Sequence, residues 1–131
     1  MARSLLPEAV EQYIAKVATH ETPVQQKLRA ETAKLAEAGM QIGADQGAFF
    51  SLLIHAISAR KAIEIGTFTG FSALCIARGL PESGSLVCLD RSVEWTAVAR
   101  RYWSNKATGL VNDVPGEADL TPALWGTFVL K

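Results

Sequence analysis

A glycine-rich turn after a short apolar run is the feature of this sequence that can best support chemistry. The run Ala62–Ile65 leads into Gly66, and a polar turn reaches Gly70 before residues that favour a helix. Glycine permits positive φ angles and close approach of a ligand, and the helix start offers unpaired N–H groups. Asp90 stands 20 residues after Gly70, at the end of the next apolar run. Because an acid there can accept hydrogen bonds from ribose hydroxyls, the pattern predicts a nucleoside pocket.

Polar residues in and before the turn strengthen this prediction. Glu64 lies inside an otherwise apolar strand, where a carboxylate is costly unless it has a partner. Thr67 and Ser72 add hydroxyl groups close by. Two glycines alone would fit an ordinary strand-to-helix turn, and Asp90 alone would fit a helix cap. Their combination favours a cofactor site.

These segments resemble the class I S-adenosylmethionine-dependent O-methyltransferases of the caffeoyl-CoA and catechol type. The resemblance rests on Glu64–Ser72 (EIGTFTGFS), on Asp90 and on Met40–Gly47 (MQIGADQG), and it extends from about Thr32 to Trp103. It implies an α/β fold with a Rossmann-like parallel sheet and flanking helices. We expect this sheet to be truncated after its first two or three strands and to follow two or three N-terminal helices.

The resemblance also implies which residues hold S-adenosylmethionine. The backbone around Gly66 and Thr67, with Glu64 and Ser72, would hold its amino-acid part, and Asp90 would hold the ribose hydroxyls. Phe68 and Phe71 take the places of tyrosines that are common in the family. No catalytic residue is assigned. The cofactor-binding residues expected are Ile42, Glu64, Gly66, Thr67, Phe68, Gly70, Ser72 and Asp90.

The reaction implied is methyl transfer from a sulfonium to a phenolate oxygen, helped in this family by a divalent cation. The family's metal ligands lie in an Asp-Ala-Asp motif and a later Asp-Asn pair, and neither motif occurs here. The acids near the end of the chain, Asp113, Glu117 and Asp119, lack the family's spacing. We therefore predict no magnesium or calcium site, because such ions need several converging oxygen ligands.

Three functions remain open at this stage. The first is an O-methyltransferase that acts on a phenolic or catechol hydroxyl of a small molecule, with this chain as its cofactor-binding portion. The second is a non-catalytic cofactor-binding fragment or interaction module. The third is a fragment of a nicotinamide-dependent dehydrogenase, which is disfavoured because Phe68 stands where a second glycine must admit the pyrophosphate.

Composition indicates one globular domain. The chain has 131 residues, of which 49% are apolar, and its 13 basic and 13 acidic residues balance. No overall field attracts nucleic acid or an anionic membrane, and no apolar run reaches the roughly 20 residues that span a bilayer. A cytoplasmic location is expected. Cys75 and Cys88 are predicted to be reduced core residues.

The turn requires a strand before it and helices around it. Residues 1–58 are predicted to be helical, residues 59–104 to form a βαβα cofactor-binding unit, and residues 105–131 to be a divergent tail. Thr22 and Gln25 suit a capping box, while Asp45 and Ser92 suit helix caps. The predicted elements are helices Leu5–Ala18, Pro23–Ala38, Asp45–Ile57, Phe71–Arg78 and Val93–Trp103, and strands Ala62–Ile65, Leu86–Leu89 and Gly126–Leu130.

Packing expectations follow from this order. The polar second helix is expected on the surface or over a neighbouring subunit, and the apolar side of the third helix against the sheet. His55, on the third helix, is predicted to be a surface or hydrogen-bonded helix residue rather than a catalytic base. In the complete fold that the resemblance implies, the first strand is central, with the second strand on one side and a later strand on the other. If the last strand does not pair beside the first strand, the open edge should cause dimerisation or other self-association, and this is the outcome we expect.

Overall fold

The computed structural model describes residues 5–18 and 20–103 with their side chains, and residues 126–130 as backbone. A 3₁₀ turn at Ala38–Met40 lies between the second and third helices. The elements are helices α1 (Glu8–Val17), α2 (Pro23–Thr32), α3 (Ala44–Ala56), α4 (Phe71–Gly79) and α5 (Val93–Trp103), and strands β1 (Lys61–Ile65), β2 (Ser85–Asp90) and β3 (Gly126–Leu130).

The sheet has the order β1-β2-β3. Strands β1 and β2 are parallel, with Ile63 opposite Val87 and Ile65 opposite Leu89, and α4 connects them. This βαβ unit confirms the predicted α/β fold. The last strand forms as predicted, but β3 pairs antiparallel with β2. The last strand therefore does not add beside β1, which is the outcome we expected for it, and β1 lies at the edge of the described sheet.

The hydrophobic core lies on one face of the sheet. Leu86 and Cys88 of β2 point into it, and Leu74 of α4, Trp103 of α5 and Leu28 of α2 close over them. Even-numbered positions of β2 are buried while odd-numbered ones are half-buried, as expected from side chains that alternate between faces. Three helices thus cover the face that carries the even-numbered residues.

Helix α2 starts at the predicted capping box. The Thr22 hydroxyl accepts a hydrogen bond from Gln25 N at 3.3 Å, and Thr22 N donates to Gln25 Oε1 at 2.9 Å. The helix ends at Thr32 rather than Ala38. Gln25, Leu28 and Thr32 are buried against the rest of the domain, so the expectation that this polar helix lies on the surface is wrong for one of its faces.

Helix α3 packs against α4 rather than against the sheet. Gly47 makes this approach possible, since a Cβ at that position would lie 2.6 Å from Cys75 Sγ. The helix begins after Gly43 without a side-chain cap, so the cap predicted for Asp45 is not formed. The exposed large apolar residues of this helix and its end are Phe49, Leu52, Leu53 and Ile57.

Other predictions about single residues are confirmed. Cys75 and Cys88 are buried free thiols, and burial raises the pKa of both. His55 is exposed.

Within the described part of the chain, no helix is long and apolar enough to cross a membrane.

Candidate cofactor site

The glycine turn at the end of β1 is held in shape by backbone hydrogen bonds. Gly66 N and Thr67 N both donate to the carbonyl oxygen of Leu89, at 2.8 and 3.3 Å, and Gly70 N donates to Thr67 O at 3.0 Å. Gly66 and Gly70 have φ angles of +89° and +88°, and Phe68 also lies in the left-handed region at +53°. Glycine adopts a positive φ without steric cost, whereas a residue with a side chain, such as Phe68, rarely adopts one.

Asp90 accounts for the unusual conformation of Phe68. Its Oδ2 accepts a hydrogen bond from Phe68 N at 2.7 Å, and its Oδ1 accepts one from Ser92 N at 2.9 Å. The residue is only 6% exposed. Since an ionised carboxylate has about four lone-pair sites, Asp90 can hold the turn and still accept hydrogen bonds from a ribose. One carboxylate therefore joins the turn after β1 to the segment that enters α5.

Ser92 confirms its predicted role as the cap of α5. Its hydroxyl accepts a hydrogen bond from Trp95 N at 3.2 Å. The Trp95 and Phe68 rings in turn pack edge to face, with their centroids 5.0 Å apart. The start of α5 and the glycine turn are thus packed against each other.

The two turn glycines have different surroundings. Gly66 is exposed, and a Cβ added to it would find no atom within 4 Å. A Cβ on Gly70 would lie 2.7 Å from the Trp103 ring and 2.8 Å from Ala99 Cβ. Trp103 also donates a hydrogen bond from Nε1 to Gly70 O at 3.3 Å. Gly66 therefore leaves space for a ligand, while Gly70 lets α5 pack against the turn.

Glu64 provides the least satisfied polar group near the turn. Its Oε2 is buried and has no hydrogen-bond partner in the structure. Burial raises the pKa of this carboxyl group from 4.5 to about 7, against the opposing effect of hydrogen bonding to Ser72, Thr67 and Cys88, and the charge of Asp90 raises it further. An ammonium group placed beside Glu64 would remove the cost of burying this charge.

Glu64→Gln tests this electrostatic description. A pKa of about 7 in the folded state and 4.5 in the unfolded state means that the folded protein binds more protons between these values. The free energy of unfolding of the wild type should therefore decrease as pH rises from about 4.5 to about 7. In the variant this decrease should be smaller, because the contribution of Glu64 is absent. Urea unfolding of both proteins at pH 5 and pH 8, without cofactor, measures the difference. Identical pH dependence would show that Glu64 is well solvated.

Other residues predicted for the site have mainly structural contacts. The Thr67 hydroxyl is buried and donates to Leu89 O at 3.4 Å. Phe68 is buried, and Phe71 belongs to the hydrophobic core. Ile42 is half-buried and packs against the same core. The predicted residues that meet around the turn are Glu64, Thr67, Phe68, Ser72 and Asp90.

Sequence patterns did not identify two aromatic residues at this site. Trp95 and Trp103 both contact the turn from α5, with Ala99 between them. Trp95, Ala99 and Trp103 are spaced four residues apart and therefore lie on one face of the helix. This spacing could have identified them from the sequence.

A separate cavity of about 470 Å³ lies between α3, α4 and the segment that joins α1 to α2. Its lining includes Gly47, Phe49, Phe71 and Arg78, but none of Glu64, Gly66 and Asp90.

Comparison with known families decides what this arrangement is. The family model described as O-methyltransferase matches residues 15–115. The chain belongs to the O-methyltransferase family. The match extends beyond both ends of the segment from Thr32 to Trp103 in which sequence motifs indicated the resemblance. Family membership also removes the dehydrogenase alternative.

Curated O-methyltransferases share this part of the sequence. The chain is 36% identical over 97 residues to catechol O-methyltransferase of Niastella koreensis, which covers 72% of this chain and 42% of that protein. It is 40% identical over 91 residues to caffeoyl-CoA O-methyltransferase 1 of Nicotiana tabacum, covering 67% and 38%. The chain therefore spans about two fifths of the length of these relatives.

Solved O-methyltransferase structures share the fold. The Bacillus cereus O-methyltransferase in complex with SAH superposes with a TM-score of 0.66 and 31% identity, over 72% of this chain and 43% of that chain. TomG from Streptomyces achromogenes, in complex with SAM, gives a TM-score of 0.68 and 27% identity, over 77% and 44%. Both are proteins that hold the methyl donor or its product.

Proposed function

We propose that this O-methyltransferase chain binds S-adenosylmethionine at the Gly66 turn and forms the methyl-donor half of an enzyme that methylates a phenolic or catechol hydroxyl. The buried, unpartnered Oε2 of Glu64 is the observation that carries the proposal, because it marks a place for a cationic ligand group beside an open glycine. The ligands of the solved relatives and the names of the curated ones support the choice of cofactor and acceptor.

Each residue has a distinct task in this proposal. Glu64 would pair with the ammonium of the amino-acid part, and Ser72 would steady the Glu64 carboxylate. The exposed backbone at Gly66 and the first amides of α4 would receive the carboxylate of the cofactor, which is favoured at a helix N-terminus. Asp90 would accept hydrogen bonds from the ribose hydroxyls. When bound, the cofactor supplies the methyl group as a sulfonium substituent, and these residues fix where that group lies.

A divalent cation does not fit the described residues. Residues 5–18 and 20–103 contain no group of three or more His, Cys, Asp or Glu side chains that could hold a metal ion. The acids Asp113, Glu117 and Asp119 lie outside the described residues, so the absence of a magnesium site in this chain stays a prediction. No step of the proposed function is assigned to a metal. The phenolic acceptor rests on the relatives' names alone.

Gly66→Val tests the cofactor site. Isothermal calorimetry with S-adenosylhomocysteine should give saturable binding to the wild type and at least about tenfold weaker binding to the variant, since a branched side chain would occupy the ligand's path to the backbone. Gly66→Ala, which has the same backbone strain but less bulk, should lie between them. Gly39→Val is the control, because a Cβ added at Gly39 would also meet no atom within 4 Å but lies outside the turn. Equal affinity in all four proteins would exclude binding at Gly66.

A cofactor-binding protein without turnover is the second candidate, favoured because the site residues that meet in the structure, Glu64, Gly66 and Asp90, all address the cofactor and none addresses a methyl acceptor. Transfer of labelled methyl from S-adenosylmethionine to catechol separates the two. Turnover by the chain alone supports the enzyme, whereas calorimetric binding without turnover selects the second candidate.

A further inference from the structure

Thr69 lies in the middle of the glycine turn and is fully buried. The residues on either side of it, Phe68 and Gly70, both have positive φ angles, at +53° and +88°. Unusual backbone conformations of this kind persist only where surrounding contacts impose them. The contacts of Thr69 therefore help to decide whether the turn keeps the shape of the proposed cofactor site.

The Thr69 hydroxyl contacts Thr32, the last residue of α2. Their Oγ1 atoms are 2.7 Å apart, although the two residues are separated by 37 positions in the chain, and both residues are 0% exposed. The Thr32 hydroxyl also donates a hydrogen bond to Leu28 O at 2.9 Å. Because a hydroxyl group carries a single proton, Thr32 can only accept from Thr69. Thr69 is therefore the donor of the hydrogen bond that joins the turn to α2.

Helix α2 is held by contacts outside the turn. Leu28, one helical turn before Thr32 on the same face, belongs to the hydrophobic core. The Glu31 carboxylate accepts a hydrogen bond from the Tyr102 hydroxyl of α5 at 2.6 Å, and Arg101 forms an ion pair with it. The helix therefore presents the Thr32 oxygen to the turn from a fixed position.

Two other elements hold the ends of the turn. Strand β2 holds its start, because Leu89 O accepts a hydrogen bond from Gly66 N at 2.8 Å. Helix α5 holds its end, because Trp103 Nε1 donates to Gly70 O at 3.3 Å. Thr69 lies between these two points. The contact with α2 therefore supports the turn from a third side.

We propose that Thr32 is a positioning residue for the cofactor: by accepting the hydrogen bond of Thr69, it holds the turn in the conformation that binds S-adenosylmethionine. This inference rests on the proposed function of the turn. Without the Thr32 oxygen, the Thr69 hydroxyl would be a buried donor that has lost its acceptor, so the turn would spend part of its time in other conformations. The apparent affinity for the cofactor falls in proportion to the fraction of molecules in the binding conformation.

Thr32→Val tests the inference, because valine has nearly the size and helix propensity of threonine but lacks the oxygen. Isothermal calorimetry with S-adenosylhomocysteine should give about tenfold weaker binding to this variant than to the wild type, which is the effect of losing one buried hydrogen bond. Thr32→Ser keeps the hydroxyl and should restore the affinity. A variant that binds more weakly only because it is partly unfolded is identified by urea denaturation of the same sample.

Thr96→Val is the matched control for a general loss of stability. Thr96 is also buried, and its hydroxyl donates to Ser92 O at 2.8 Å, four residues earlier in its helix, as that of Thr32 does to Leu28 O. The contacts of the Thr96 hydroxyl lie inside α5, so its loss should leave the affinity for S-adenosylhomocysteine unchanged. Wild-type affinity in a folded Thr32→Val variant would overturn the inference and leave the proposed function intact.

Amide exchange measured by NMR without cofactor tests the same contact independently of binding. In Thr32→Val the protection factor of the Gly70 amide, which donates to Thr67 O, should fall at least about fivefold. The Ala33 amide, which donates to Arg29 O at the end of α2, should keep its protection and show that the helix is intact. Unchanged protection of Gly70 would overturn the inference alone, whereas a wild type that does not bind S-adenosylhomocysteine would refute the proposed function and, with it, the positioning of the cofactor.

Discussion

Gly70→Ala should destabilise this protein more than any other single substitution in the glycine turn. A positive φ of +88° costs an L-residue about 1–2 kcal/mol. The new Cβ would also lie 2.7 Å from the Trp103 ring and 2.8 Å from Ala99, and overpacking of this kind costs about 1–3 kcal/mol. Small domains are stable by only about 5–15 kcal/mol, so the free energy of unfolding should fall by a large fraction.

Gly66→Ala is the matched comparison. It shares the positive φ, at +89°, but its Cβ would meet no atom within 4 Å. Only the backbone cost should therefore appear. Urea denaturation followed by far-UV circular dichroism measures both variants against the wild type. Equal losses of stability in the two variants would mean that α5 does not pack on the turn as the contacts of Trp103 indicate.

The elements that local sequence patterns determine are predicted well. The Thr22–Gln25 capping box, the Ser92 cap and the strand-turn-helix around Gly66 all form where expected, because each depends on residues a few positions apart. The turn glycines adopt positive φ angles, as their type suggests. Asp90 is correctly selected as a residue near the turn.

Predictions that depend on distant contacts are less successful. The apolar side of α3 indicates burial against the sheet, but the small residue Gly47 lets a different side of the helix approach Cys75 and α4. Thr69 lies in the turn, where a hydroxyl could face a ligand. Its hydroxyl instead lies 2.7 Å from that of Thr32, inside the contact with α2. Neither the side of α3 that packs on α4 nor the contact between Thr69 and Thr32 can be predicted from a local sequence pattern.

The position of β1 in the sheet is also beyond local patterns. The segment Gly126–Leu130 has the composition of a strand, but composition does not say which edge it joins or in which direction. Its antiparallel pairing with β2 leaves β1 at the edge of the described sheet. The left-handed conformation of Phe68 could not be predicted from local patterns either, since it depends on a hydrogen bond to Asp90, 22 residues away.

Asp90→Ala should reduce both stability and cofactor affinity, and the two losses can be separated. The folded protein loses the acceptor for Phe68 N and Ser92 N, and hydrogen bonds to a charged group are each worth about 1.5–3 kcal/mol. Without this hydrogen bond the left-handed conformation of Phe68 is no longer stabilised, so the backbone of the turn should change its conformation.

Cofactor affinity should fall with it, because the proposed ribose acceptor is removed together with the support of the turn. A loss of about 1.5–3 kcal/mol corresponds to roughly 10- to 150-fold weaker binding of S-adenosylhomocysteine by calorimetry. Ser92→Ala is the control: it removes the cap of Trp95 N, which costs about 1 kcal/mol of stability, but it keeps the Ser92 N–H that Asp90 binds. Its affinity for S-adenosylhomocysteine should equal that of the wild type. If Asp90→Ala also bound with wild-type affinity, Asp90 would be a purely structural residue and the ribose would have to lie elsewhere.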